Sequence, residues 1–181
     1  MALRKIVRFP NPFLRQPTRE VQGIDKAVRT LIDDMMETMC DVNGAGLAAI
    51  QVGASERIFI IEATAAGGEP TDQPKVFINP KLELFSSETD VKDEGCLSFP
   101  SIFIPVKRSL KVRVSALDID GNPFTLDTED FYARAIQHEH DHLINKLLFD
   151  YAGPLKKQMI KRKLDKMTDE EAYELLARHG D

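Results

Sequence analysis

Residues 128–145 constrain the fold of this chain more than any other segment. Thr128 can cap a helix whose first turn carries Glu129 and Asp130, where acids suit the positive end of the helix dipole, and the pattern runs to about Asn145. Within it, His138-Glu139-His140-Asp141-His142 fits the pattern His-Glu-x-x-His. Four residues take an α-helix slightly more than one turn, so His138 and His142 stack on one face. Phe131 and Ala135 precede His138 on that same side, which predicts a buried face rather than a wet one. Two buried imidazoles need partners, and one divalent metal ion can serve both. Any fold for this chain has to bury that stripe.

A hydrolytic metal site needs three protein ligands and an open position for water, and this helix supplies two. Glu139 follows the first ligand and can reach a water on the ion without ligating, the position of a general base. His140 lies about 200° around the helix from His138 and is expected at the surface. Asp141 is expected to be structural or to stand behind a ligand, because ligating histidines donate their second nitrogen to a carboxylate or carbonyl. The third ligand must come from elsewhere. Cys96 lies in Asp93-Glu94-Gly95-Cys96-Leu97-Ser98-Phe99-Pro100, where Gly95 permits close backbone approach and Leu97 can present its N–H to an oxyanion. Taken alone, that segment reads by default as housing an inert buried thiol.

Three separated segments together resemble, in order, the signature motifs of the peptide deformylases: Gly44-Ala45-Gly46-Leu47-Ala48-Ala49-Ile50-Gln51, Glu94-Gly95-Cys96-Leu97-Ser98 and Gln137-His138-Glu139-His140-Asp141-His142-Leu143. The entry segment Phe9-Pro10-Asn11-Pro12-Phe13-Leu14-Arg15 is similar to the family's too, and the likeness spans residues 10–164. It implies an α+β fold with antiparallel sheets packed around a central metal-binding helix, and several short strands followed by helices point the same way. It also implies that Cys96, His138 and His142 bind one divalent metal, with water in the fourth place and Glu139 shuttling the proton. By the same resemblance Gln51 and the Leu97 amide stabilise the oxyanion formed at a formyl carbon, and backbone at Gly46 holds the peptide. Ala45, Phe131 and Ala135 border a pocket for a methionine side chain. The substrate so implied is the formyl-methionyl end of a nascent chain. The implied ion is Fe2+ in the cell, with Zn2+, Ni2+ or Co2+ accepted on purification; sequence alone does not choose among them. Glu94 and Arg108 are expected from the resemblance to pair and hold a Gly95-Cys96-Leu97 strand, the alternative being two surface charges. Two positions depart from the family: Ile50 stands where many members have proline, and Asn145 where glycine is frequent, Asn being the next best left-handed cap.

Elsewhere the local signals are ordinary. Residues 25–42 predict a helix capped by Asp25, with Val28, Leu31, Ile32, Met35, Met36 and Met39 forming one core stripe. Cys40, at its end, reads as a small buried hydrophobe. Strands are expected at 57–62 and at 75–79, the latter stopped by Pro80, with another through Leu82, Leu84 and Phe85. Leu110 to Ala116 alternate apolar and polar, and Asp120-Gly121 turns the chain into Phe124-Thr125-Leu126, a hairpin. A last helix over 154–167 begins at a tolerated proline, and Thr168 caps a short terminal turn through Leu176.

The 181 residues, 43% hydrophobic and 29% charged, suit a single catalytic domain over 1–181. A net charge of −5 disfavours DNA and anionic membrane as partners. The first residues hold no apolar run, which predicts neither a secretory signal nor a membrane anchor and points to the cytoplasm. Against that acidic background, Lys156, Lys157, Lys161, Arg162, Lys163 and Lys166 crowd one helix. The plain reading is a solvated face; the sharper one is docking on ribosomal RNA. Two rivals to a deformylase remain at this point. One is a zincin-type peptidase, whose third ligand normally lies downstream, where only His179 is found. The other is a binding protein with a closed structural metal site.

Overall fold

The computed structural model describes residues 2–84 and 86–179. Helix α1 (Lys26–Asp41) starts where the Asp25 carboxylate accepts a hydrogen bond from Val28 N at 2.9 Å, satisfying a donor that the first turn would otherwise orphan. Leu31, Ile32, Met35 and Met39 are buried along one stripe, with Val28 and Met36 packed at its edge. Cys40 does not join them. It is exposed, because one step beyond Met39 turns a side chain about 100° away from the stripe.

Strands β1 (Gly46–Ala48), β2 (Ile58–Ile61), β3 (Lys75–Leu84), β6 (Lys111–Leu117) and β7 (Pro123–Glu129) form one antiparallel sheet in that order. A separate pair, β4 (Thr89–Glu94) and β5 (Ile104–Ser109), is also antiparallel. Because side chains alternate across a strand, Ile58, Ile60, Val76 and Ile78 pack with α1, while Phe59, Ile61 and Phe77 face helix α2 (Asp130–Leu143). Strand β2 is covered on both faces, which explains its unbroken apolar run. Phe59 and Phe77 stack with centroids 4.7 Å apart, and truncating either to Ala would cost about 3–5 kcal/mol. Helix α2 packs against β1, β2 and β7 of the large sheet and β5 of the small one, so this α+β fold surrounds its central helix. A third cluster joins Ile104 and Val106 to Ile160 and Leu164 of helix α3 (Pro154–Asp165), with Cys96 and Phe99 between them.

Several boundaries differ from expectation for identifiable reasons. Strand β3 does not stop at Pro80. Its pairing with β6 slips between Ile78 and Lys81, and this bulge absorbs the residue that has no N–H to give. Asn79 sits there at φ 51° and satisfies Val21 twice, accepting from its N–H and donating to its carbonyl, each at 2.8 Å. The separate strand expected through Leu82 and Leu84 is thus the same strand continued, and Phe85 lies outside the described residues. Strand β4 went unanticipated because Thr89–Glu94 is polar and mostly exposed; β5 does alternate, Ile104 and Val106 in and Pro105 and Lys107 out, but over only six residues and through a proline. Thr128 is not a helix cap: it belongs to β7, where its hydroxyl donates to Val112 O at 3.2 Å, and α2 begins directly after Glu129. Helix α2 ends at Leu143, and Asn145 takes a left-handed φ of 61° just beyond. The hairpin from β6 to β7 turns at Gly121, φ 84°, as the Asp120-Gly121 signal predicts. Thr168 and Glu171 cap helix α4 (Asp169–His179) reciprocally: the Thr168 hydroxyl accepts from Glu171 N at 3.1 Å, and the Glu171 carboxylate accepts from Thr168 N at 2.8 Å. Leu176 of α4 is buried in the α1 cluster, so this helix is longer and better anchored than a terminal turn.

Candidate metal centre and substrate pocket

Helix α2 brings His138 and His142 together with ring centroids 5.3 Å apart, as one turn of separation requires. The chain leaving β4 delivers Cys96, whose Sγ lies 3.4 Å from His142 Nε2. Ligand atoms of Cys96, His138 and His142 all fall within 4.8 Å of one another, the only such grouping of three or more His, Cys, Asp or Glu side chains among the described residues. An ion with bonds of about 2.0–2.3 Å spans such a gap. Without a cation the cluster is uncomfortable. Burial pushes the Cys96 thiol up despite the His138 imidazole beside it, and pulls His142 well below its ordinary value. His142 Nδ1 is buried without a hydrogen-bond partner. One thiolate and two neutral imidazoles around a divalent cation fit zinc, ferrous iron or their neighbours.

Glu139, 4% exposed, sits beside the cluster and beneath β1. A Cβ added at Gly46 would lie 2.6 Å from Glu139 Oε1, so only glycine lets that strand approach so closely. Gln51 is held in the 3-10 turn Ala49–Val52, 1% exposed. Its Oε1 accepts from Ala48 N at 2.9 Å, which directs Nε2 toward Ser98 Oγ at 3.1 Å and Cys96 Sγ at 3.5 Å. Gln51 therefore faces the sulfur with its donor end.

Behind the cluster lies a buried ion-pair network. Glu94 accepts a two-pronged fork from Arg108, Nε to Oε1 and Nη2 to Oε2, both at 2.9 Å. Both side chains are 5% exposed, so this is a buried pair and not two surface charges. His138 Nδ1 lies 2.9 Å from Glu94 Oε2, leaving Nε2 for the metal position. Burial raises the Glu94 carboxyl, but Arg108 and His138 outweigh it and hold its pKa at about 2. Asp141 supports from one step back, accepting from Arg108 Nη1 at 2.7 Å and from the Tyr151 hydroxyl at 2.5 Å. The segment 95–97 is not a strand as expected; β4 ends at Glu94 and the chain turns, Phe99 N donating to Cys96 O at 2.8 Å. His140 is half-buried rather than at the surface, and burial lowers its imidazole, but it lies outside the ligand cluster.

Beside the cluster opens a cavity of about 150 Å³. Ala45, Gly46, Gly95 and Ala135 line it, with His138 and Glu139 among its walls. Phe131 also borders it but is 53% exposed, because the first turn of α2 carries its ring to the pocket's rim rather than into the core. Phe103, 52% exposed, lines it as well, and neither Phe103 nor Arg134 stood out in the sequence. Arg134 had a signal: a charged residue one turn before His138, on a face expected to be buried, demands acids as partners.

A family model described as polypeptide deformylase matches residues 3–158. The chain belongs to the peptide deformylase family. It is 46% identical over 166 residues to a peptide deformylase of Saccharophagus degradans, covering 92% of this chain and 94% of that one. It is 45% identical over 172 residues to the peptide deformylase of Pseudomonas aeruginosa, covering 95% of this chain and all of that one. Among solved structures it resembles a peptide deformylase from Legionella pneumophila, with TM-score 0.84, 41% identity and coverage of 91% and 95% of the two chains. The deformylase of Ehrlichia chaffeensis in complex with actinonin matches with TM-score 0.84 and 36% identity over 92% and 98%. Among the described residues no helix is long and apolar enough to cross a membrane.

Proposed function

We propose that this chain hydrolyses the N-formyl group from the formyl-methionine that begins newly made proteins, releasing formate and a free amine. The observation that carries this reading is the meeting of three ligand atoms within 4.8 Å, beside Glu139 and a cavity of about 150 Å³. Cys96, His138 and His142 hold the metal, which when bound polarises a carbonyl and lowers the pKa of water. Glu139 takes the proton from the attacking water and returns it to the departing amine. The Gln51 amide and the Leu97 N–H donate to the oxygen that gains charge at the formyl carbon. Backbone at Gly46 holds the peptide, and Ala45, Phe131 and Ala135 border its methionine side chain.

The thiolate weakens the ion's Lewis acidity relative to a third imidazole, which leaves room for an ion more reactive than zinc; family membership points to Fe2+ as the working metal, with Zn2+, Ni2+ and Co2+ suited to the same donors. The chain acts as a single catalytic domain over 1–181 in the cytoplasm. Its basic helix α3 docks on ribosomes where formylated chains emerge, and that binding weakens steeply with salt; pelleting with ribosomes at low and moderate salt, equal at both or absent from both, would overturn this part alone.

The test of the activity is anaerobic formate release from a formyl-methionyl peptide, with metal analysis of the same sample. Release that tracks metal content and is blocked by actinonin supports the reading; metal-loaded protein that releases no formate sinks it.

A further inference from the structure

We propose that Arg134 is a positioning residue of the metal centre, completing the set of donors on Glu94 that fixes His138. Glu94 has two oxygens with about four acceptor sites between them. Oε1 takes Arg108 Nε at 2.9 Å and Arg134 Nη1 at 2.6 Å; Oε2 takes Arg108 Nη2 and His138 Nδ1, each at 2.9 Å. All sites are filled, so the carboxylate cannot rotate without breaking a charge-assisted bond in a buried setting.

Arg134 is itself held from the far side. Its Nη1 also donates to Val106 O at 3.0 Å, and its Nη2 pairs with the Asp90 carboxylate. One guanidinium therefore ties α2 to β4 and β5, the two strands that flank the loop carrying Cys96. Two ligands, Cys96 and His138, thus have their supports joined through a single side chain. Arg134 also lines the pocket, so the brace is built into the substrate wall. Removing the guanidinium leaves Glu94 Oε1 one donor short, and the Arg108 fork alone permits the carboxylate to tilt, taking His138 with it.

This inference rests on Cys96, His138 and His142 binding a metal, and its test is readable without deformylase activity. Co2+-loaded wild type, Arg134→Met and Arg134→Lys are compared by visible spectrum, by the rate of Co2+ loss to a chelator, and by kcat and KM on a formyl-methionyl peptide. Arg134→Met keeps the stem against the pocket. It is expected to lose Co2+ on the order of 10–100-fold faster, with a shifted spectrum, lower kcat and KM within about twofold. Arg134→Lys, which can still reach one carboxylate, restores part of the effect. A lower melting temperature with unchanged spectrum and release rate would make Arg134 a mere staple and overturn the proposal. Should Arg134→Met fail to fold, Asp90→Asn loosens the same guanidinium without touching Glu94; faster Co2+ loss supports the role, and an unchanged rate overturns it. A wild type that holds Co2+ but releases no formate would defeat the deformylase reading and leave these readouts intact.

Discussion

Glu139 lies so close to Gly46 that a single methyl group on the glycine would stand 2.6 Å from the carboxylate oxygen and 3.0 Å from the side-chain carbons behind it. Neither residue can be understood alone: the bare strand backbone defines where the carboxylate sits. Gly46→Ala should displace Glu139 by several tenths of an ångström while leaving the ligands in place. A misplacement approaching 1 Å can reduce turnover about 10²-fold. Formate release should fall by roughly that factor with metal content unchanged; an active Gly46→Ala enzyme would show that Glu139 has room to spare.

Glu139→Gln should bind metal normally and lose turnover by on the order of 10²–10⁴, because the amide keeps the shape but cannot carry the proton. Near-normal formate release from this variant would remove Glu139 from the proton path. Cys96→Ser, by contrast, should change metal content and oxygen sensitivity together, since the thiolate is lost.

Arg108→Ala removes the two-pronged partner of Glu94 and one donor to Asp141, both nearly buried, leaving Glu94 to Arg134 and His138 and Asp141 to the Tyr151 hydroxyl. A fully uncompensated buried carboxylate is destabilising by about 3–5 kcal/mol; with Arg134 and His138 still donating to Glu94 the loss should stay below that, lowering Tm of a chain of this length by several degrees. Thermal melts that coincide with wild type would mean that the network relaxes far more easily than its geometry suggests.

Asp34 makes a pH-dependent contribution far from the site. It is 5% exposed and accepts from Ala2 N at 2.8 Å and Arg4 Nε at 3.0 Å. Burial pushes its carboxyl up, but those donors together pull it below the usual carboxylate value. With the folded value below the unfolded one, the stabilisation is present above about pH 4 and is lost as pH falls through the folded value. Asp34→Asn should therefore destabilise at pH 7 by about 1–2 kcal/mol, and the gap to wild type should shrink in acid. Urea melts of both proteins at pH 7 and at pH 3.5 to 4 check this; a gap that stays constant contradicts it.

Helix α1 with its Asp25 cap, the one-turn spacing of His138 and His142, the hairpin at Gly121 and the Thr168 cap were all legible because each signal spans about a turn of chain. The passage of β3 through Pro80 was not, since it depends on the bulge in its pairing with β6 and on Asn79 meeting Val21, 58 positions away. Cys40 misled for a smaller reason: composition favours burial of cysteine, but helix phase put this one outside.

By itself the sequence determined the helix that carries the histidines, the apolar run that makes strand β2, and the motif set by which this chain resembles its family. Those follow from the helical period of 3.6 residues, from a short unbroken apolar run and from caps that need only their neighbours. Tertiary structure alone decided that Glu94, 44 residues before His138, would be its acceptor, and that Arg134 would reach the same carboxylate from the pocket wall. It also decided that β1 would lie against Glu139. Such choices are made when strands distant in the chain pair and bury their charges together, and no local pattern records which donor a buried acid will find.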